Sequence, residues 1–381
     1  MGCKSDNNNA TPAVNAASLA APAPAPSFST SAVVTTAPHT TTAPPTTLQL
    51  FGANPIASNF DYRTELQTSG ISSSAAPDVV GAFRFLCMPG QLKKDDPIVF
   101  PGKPGAAHLH QFFGNMNADA NSTYASLRAS GASSCRSPVN RSAYWMPAML
   151  DGVGSVVRPD YVSIYYKRRP AYDPKCDPAI DARAEGYCID LPNGLNFVFG
   201  FDMVTPANSP TGASYFNCDG PTAKPGRYPD IESAVANCPV GNRLGAVINA
   251  PTCWNGKALS TADGRSHVSY ASYGSWGYLK CPATHPYVIP AFTMGVWYTV
   301  DANLKSWRLS SDAMVAGARR GSTFHADFMM AWDPEVKRAW HDNCINKMLN
   351  CSDGVLGNGT QMKQSFPLSW NASPRLVPVP A

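Results

Sequence analysis

The chain has 381 residues with a formal net charge of +4, and only 15% of them are charged. So mild a basic excess excludes a nucleic-acid surface, which needs dense basic clusters with interleaved aromatics. Lys167-Arg168-Arg169 and Arg319-Arg320 read as solvated ends of strands or loops, and no run of 18 apolar residues provides a membrane span.

Residues 1–48 are dominated by Ala, Pro, Thr, Ser and Asn. They offer few side chains to bury, so they are expected to form a disordered, extended tether. Gly2-Cys3 followed by Lys4-Ser5-Asp6 resembles the end of a bacterial lipobox, which makes Cys3 the lipidation candidate and the only expected route to a membrane. Residues 49–78 read as a transitional segment, 79–366 as a single globular domain and 367–381 as a C-terminal tail.

Within the globular part, short apolar or alternating runs recur between Gly, Pro, Asn and Asp. They are Ala82–Phe85, Ala106–Phe113, Ala143–Leu150, Tyr161–Tyr166, Asn196–Met203, Arg243–Ile248, Pro290–Val300 and Thr323–Ala331. Their aromatic and β-branched content predicts strands. The imperfect alternation in Tyr161–Tyr166 predicts a strand covered on both faces. A two-sheet sandwich or jelly roll is the first expectation and an irregular α+β fold the second. One helix is predicted from Asp333 to about Leu349, with Asp333 as N-cap, Pro334 in the first turn and a stripe of Val336, Trp340, Cys344 and Met348. His341 on that helix is expected to be solvated.

Ten cysteines follow Cys3: Cys87, Cys135, Cys176, Cys188, Cys218, Cys238, Cys253, Cys281, Cys344 and Cys351. The even count without any C-x-x-C pair predicts disulfides and an oxidising compartment rather than a zinc site. Cys176 with Cys188 and Cys344 with Cys351 would close short loops.

The chemistry-bearing stretches are His108-Leu109-His110 and His325-Ala326-Asp327. On a strand, residues two apart share a face, so each pair projects to one side. His108, His110, His325 and Asp327 are therefore the candidate catalytic cluster. Neutral imidazoles with a carboxylate suit either a general base with its orienting acid or a transition metal. No HExxH helix adds a further ligand, so no cofactor is expected and a divalent metal is the alternative. Arg141 and Tyr144 are candidate ligand binders, as are Gln111, Asn115, Asp96 and His267; Asp95 and Asp96 also suit turn formation before Pro97. Trp145 is expected in the core, and His285 in a loop. The absence of a G-x-S-x-G elbow, a P-loop and a dinucleotide fingerprint removes several common enzyme classes.

Asp96-Pro97-Ile98-Val99, His108-Leu109-His110-Gln111-Phe112-Phe113-Gly114-Asn115, Asn140-Arg141-Ser142-Ala143-Tyr144-Trp145-Met146-Pro147-Ala148, Pro192-Asn193-Gly194-Leu195 and Phe324-His325-Ala326-Asp327-Phe328 together resemble the motif series of a known family. This is the domain-of-unknown-function family nineteen-ninety-six, in its bacterial form, and the likeness spans about Phe83 to Gly357. The resemblance implies a secreted or cell-surface protein, in a family some of whose members are joined to carbohydrate-binding modules; it carries no settled activity. The expected function is action on a polysaccharide or cell-wall glycan, by hydrolysis or β-elimination. A non-catalytic carbohydrate-binding or adhesion protein using the same groove is the alternative.

Overall fold

The computed structural model describes residues 50–275, 277–367 and 370–380. The expected tether and the lipidation candidate Cys3 lie outside the described residues. Two large sheets carry the fold, and each of the eight apolar runs contributes a strand to one of them. The seven-stranded sheet runs in the order Ser214–Asp219, Arg243–Asn249, Ala291–Thr299, Tyr161–Arg168, Gly81–Cys87, Leu349–Cys351, Ser74–Ala75. Its neighbours are antiparallel except Gly81–Cys87 with Leu349–Cys351. The five-stranded sheet is antiparallel throughout, in the order Asn196–Gly200, His325–Met329, Ala143–Pro147, His110–Gly114, Leu92–Lys93.

The sheets face each other across an aromatic core, as a sandwich requires. Phe292 of the larger sheet meets Tyr144, Phe197, Phe199 and Phe328 of the smaller, with ring centroids between 4.9 and 6.3 Å apart. In Tyr161–Arg168 the residues Val162, Ile164, Tyr166 and Arg168 are buried and those between them are half-buried. Both faces are therefore covered: Trp370 edges onto Tyr161, and the Tyr165 hydroxyl donates to Asn350. Arg168, expected at a solvated strand end, instead donates to the Ile189 carbonyl and pairs with Asp190.

The C-terminal helix is shorter than its apolar stripe predicts. It spans Pro334–Trp340, with the Asp333 carboxylate accepting from the Glu335 and Val336 amides. A π-turn at His341–Ile345 then replaces the expected continuation, and Met348 at φ 52° turns the chain into the strand Leu349–Cys351. His341 is buried rather than solvated, because its Nε2 accepts the Leu191 amide while its Nδ1 donates to the Lys337 carbonyl. Trp340 fixes the helix to the larger sheet by stacking on Phe83 and Tyr166.

All ten of the later cysteines are paired, as Cys87–Cys135, Cys176–Cys188, Cys218–Cys238, Cys253–Cys281 and Cys344–Cys351. The segment at 49–78, expected to be transitional, belongs to the fold over its described residues. Leu66–Thr68 pairs with Thr360–Met362, and the fully buried Arg128 guanidinium donates to the Ile56 carbonyl and the Ser58 hydroxyl. The expected C-terminal tail also docks, because Leu376–Pro378 pairs with Ser155–Val157.

A histidine and carboxyl cluster at the floor of a cleft

The five-stranded sheet turns Gln111, Phe113, Tyr144, Ala326 and Phe328 toward its partner sheet, so the intervening residues face outward. That outer face holds His110, Phe112, Trp145, His325 and Asp327. Phe112 stacks on Trp145 at 5.2 Å, and with Ile98, Val198 and Met329 they form a second, smaller core. Beside it the face stays open as a cleft of about 910 Å³, whose walls come from the loop at residues 96–107, the turn at 202–210 and the loop at 262–270.

His108, His110, His325, Asp96 and Asp327 meet at the floor of this cleft. The ring centroids are 4.2 Å apart for His108 and His110, 5.1 Å for His108 and His325, and 6.2 Å for His110 and His325. His108 and His110 thus share a side as their spacing predicts, while Leu109 between them packs with Ala148 and Val156. The Nδ1 of His110 lies 2.9 Å from the Asp95 carbonyl, and that of His325 2.8 Å from the Thr323 carbonyl. A carbonyl only accepts, so both rings carry their proton on Nδ1 and hold a bare lone pair on Nε2. Nε2 of His108 and of His110 has no hydrogen-bond partner among the described residues.

Burial, reinforced by the neighbouring imidazole, pushes the His108 pKa down to about 2, and the same causes push His110 to about 3 and His325 well below its ordinary range. All three are neutral at pH 7. Asp327 is the opposite case. It is fully buried, neither of its oxygens has a hydrogen-bond partner among the described residues, and burial with Asp96 nearby holds its pKa well above the carboxylate range. Burial also raises Asp96, although the amides of Ile98 and Val99 donate to it. Asp96 therefore closes the turn before Val99 and lines the cleft as well.

Several expected ligand binders stand elsewhere. Tyr144 is buried between the sheets, its hydroxyl 2.9 Å from that of Tyr166. Arg141 donates to the Arg128 carbonyl and lies over the Phe60 ring, Gln111 donates to the Gly90, Gln91 and Phe112 carbonyls, and Asn115 donates to the Leu127 and Ser130 carbonyls. Each is a structural residue away from the cleft. His267 is buried beneath the wall, where it bonds Thr261 and the Asn196 carbonyl and so pins the loop above it. That loop delivers Arg265, which no motif marks. The Arg265 guanidinium donates to the Gly200 and Phe201 carbonyls and sets a positive charge beside Asp96, His325 and Asp327. Its only sequence signal is its place two residues before His267. Val99, Phe100, Val204 and Met314 form an exposed apolar rim.

Fold and site together define a disulfide-stapled two-sheet β protein with a cleft, floored by histidine and aspartate side chains, on the outer face of its smaller sheet. Residues 96–332 match the family model described as Domain of unknown function (DUF1996), and the chain belongs to that family. The matched span starts at Asp96 and takes in His108, His110, His325 and Asp327. Comparison with curated proteins and with solved structures finds no match.

Proposed function

We propose that the cleft is an active site that takes an extended polysaccharide and cleaves it, by hydrolysis or β-elimination, at a floor made by His108, His110, His325 and Asp327. The observation that carries this reading is the convergence of three neutral imidazoles and a fully buried carboxyl with a raised pKa in one cleft large enough for several sugar rings. Burial, with Asp96 nearby, raises the Asp327 pKa and so favours the protonated form that could give a proton to a leaving oxygen. The exposed rim of Phe100, Val99 and Met314 offers apolar surface to sugar faces, and Arg265 offers a cation to a uronic-acid carboxylate. Five disulfides fit an extracellular or cell-surface setting, and no helix among the described residues is long and apolar enough to cross a membrane.

The test is a screen of the purified protein against neutral and uronic-acid polysaccharides. Shortened products that disappear in Asp327→Asn support an enzyme. Retention of a polysaccharide without cleavage supports the binding-module alternative, and neither binding nor cleavage across both classes overturns the reading.

A further inference from the structure

We infer that His108, His110 and His325 form the binding site of one divalent transition-metal ion, zinc or copper in class, with a coordination position open to the cleft. The site deepens the reading of the cleft as an active site, but it stands on geometry that makes no reference to the substrate. One ring nitrogen from each of the three histidines can be chosen so that all lie within 4.8 Å of one another. Three imidazole nitrogens about 2.0–2.1 Å from a zinc ion are separated by roughly 3.3 Å, so small side-chain rotations close the present spacing onto an ion.

Two features separate this cluster from three histidines that merely pack together. First, the tautomers are set from behind: the Asp95 and Thr323 carbonyls take the Nδ1 protons of His110 and His325 and leave their Nε2 lone pairs free. A carbonyl behind each ligating ring is the arrangement that orients imidazoles toward a metal. Second, polar atoms are left buried and unpaired, which costs free energy unless a partner arrives. His110 is 0% exposed with a bare Nε2, and Asp327 is 0% exposed with two bare oxygens. Asp327 also lies within ligand distance of His110 and Asp96, in a second possible donor set that shares His110. A cation on the three imidazoles would stand beside the buried Asp327 carboxyl, whose oxygens have no hydrogen-bond partner among the described residues.

The donor set also selects the ion. Neutral nitrogen ligands suit zinc, copper, nickel or iron, whereas calcium and magnesium require oxygen donors and more of them. Three protein ligands leave the fourth tetrahedral position for water or substrate, and here that position faces the cleft. Among the described residues a further cluster with metal-ligand spacing, Glu185 with Cys253 and Cys281, offers no such site because those two cysteines are joined to each other.

The test uses the full chain with its disulfides intact, stripped with chelator and dialysed. Cobalt(II), as a spectroscopic probe for zinc, is titrated in, bound zinc and copper are counted by elemental analysis, and melting is followed with zinc, copper, calcium or magnesium added. The expected result is one zinc or copper ion per chain, visible cobalt d–d bands of a nitrogen-ligated site, and a rise in melting temperature with zinc or copper that calcium and magnesium do not produce. His108→Ala, at the half-buried ligand, should weaken binding by about 100-fold or more while its near-ultraviolet dichroism stays that of the parent. If that variant does not fold, His325→Gln, which keeps a polar side chain of similar reach, replaces it with the same expectation. Substoichiometric metal, or binding that survives loss of either histidine, overturns the inference. Polysaccharide cleavage by a metal-free protein sinks the metal site and leaves the active-site reading standing; stoichiometric metal with no action on any polysaccharide does the reverse.

Discussion

His110 and His325 begin two strands that flank a third, and their rings reach toward each other past its last residue, Pro147, to a centroid separation of 6.2 Å. Because all three strands are antiparallel neighbours in register, the meeting of residues more than 200 apart in sequence is a property of sheet pairing. Loop placement contributes His108 and Asp96. A site built on strand ends in this way is held by the ladder and changes little in position when a loop moves.

This rigidity separates the chemical from the structural cost of mutation. Replacing His325 by Ala should abolish polysaccharide turnover while lowering stability by about 1–3 kcal/mol, the usual cost of leaving a buried partner unsatisfied. The measurements are product formation and urea unfolding on the same preparation. Retained turnover would remove His325 from the chemistry.

Phe292 should behave in the contrary manner. It is 2% exposed and touches four aromatic rings of the opposite sheet. Phe292→Ala should therefore cost about 3–5 kcal/mol in denaturant unfolding, more than the loss of any one cleft histidine. A loss below about 1 kcal/mol would mean that the sheets are not held together at this point.

The disulfides act on the unfolded chain. Cys218–Cys238 ties the edge strand Ser214–Asp219 to the segment after the helix Ile231–Val235, closing a loop with a sequence separation of 20. Replacing both cysteines by Ser should cost about 2–4 kcal/mol. Non-reducing mass spectrometry should find no free thiol among the ten cysteines from Cys87 to Cys351, and several free thiols would contradict both the pairing and the oxidising compartment.

What is legible in the sequence follows from the period of the strand. Alternation places His108 with His110 and His325 with Asp327, because it needs only local geometry. The same alternation puts Tyr144 on the inner face and its neighbour Trp145 on the outer one, but a sequence does not state which face of a doubly covered strand is inner. Tyr144 therefore looks like a ligand binder until the second sheet is in place. Arg141 misleads for a related reason: its partner is the Arg128 carbonyl, a backbone group with no sequence signature. His341 directly follows Trp340 of the apolar stripe, and it is buried because the segment at Leu191 comes across to use its lone pair. Such long-range covering leaves no local trace, and Arg265 is hidden from the sequence on the same ground.

His341 makes a prediction about pH. Burial holds its pKa down at about 3 in the folded protein, while the unfolded imidazole titrates near 6.5. Below pH 6.5 the unfolded chain binds a proton that the folded chain refuses, so this residue's contribution to stability is complete above about 6.5 and is lost as pH falls toward 3. The slope from one such group is at most about 1.4 kcal/mol per pH unit. His341→Gln should be less stable than the parent at pH 7, with the difference narrowing steadily in urea unfolding down to pH 4. A difference that is constant with pH would show that His341 titrates normally.

The loop carrying Arg265 supplies the last prediction. Gly264 sits at φ +64°, and a Cβ there would come within 2.8 Å of Ile98 Cγ2 and 3.0 Å of Val198 Cγ2. Its carbonyl accepts the Val198 amide, so the loop rests directly on the strand Asn196–Gly200. Gly264→Val therefore meets both the left-handed backbone penalty of about 1–2 kcal/mol and a clash with two branched side chains. The loop relieves the clash by lifting, and Arg265 lifts with it, away from Asp96 and Asp327. The variant should lose about 2–3 kcal/mol of stability and, for a uronic-acid polysaccharide, lose more in KM than in kcat, because a positioning cation is displaced while the floor is untouched. Arg265→Met at an unmodified Gly264 separates the two effects, since it should reproduce the KM change with little loss of stability. If Arg265→Met binds an acidic polysaccharide as tightly as the parent, the guanidinium serves only to tie the loop to the Gly200 and Phe201 carbonyls.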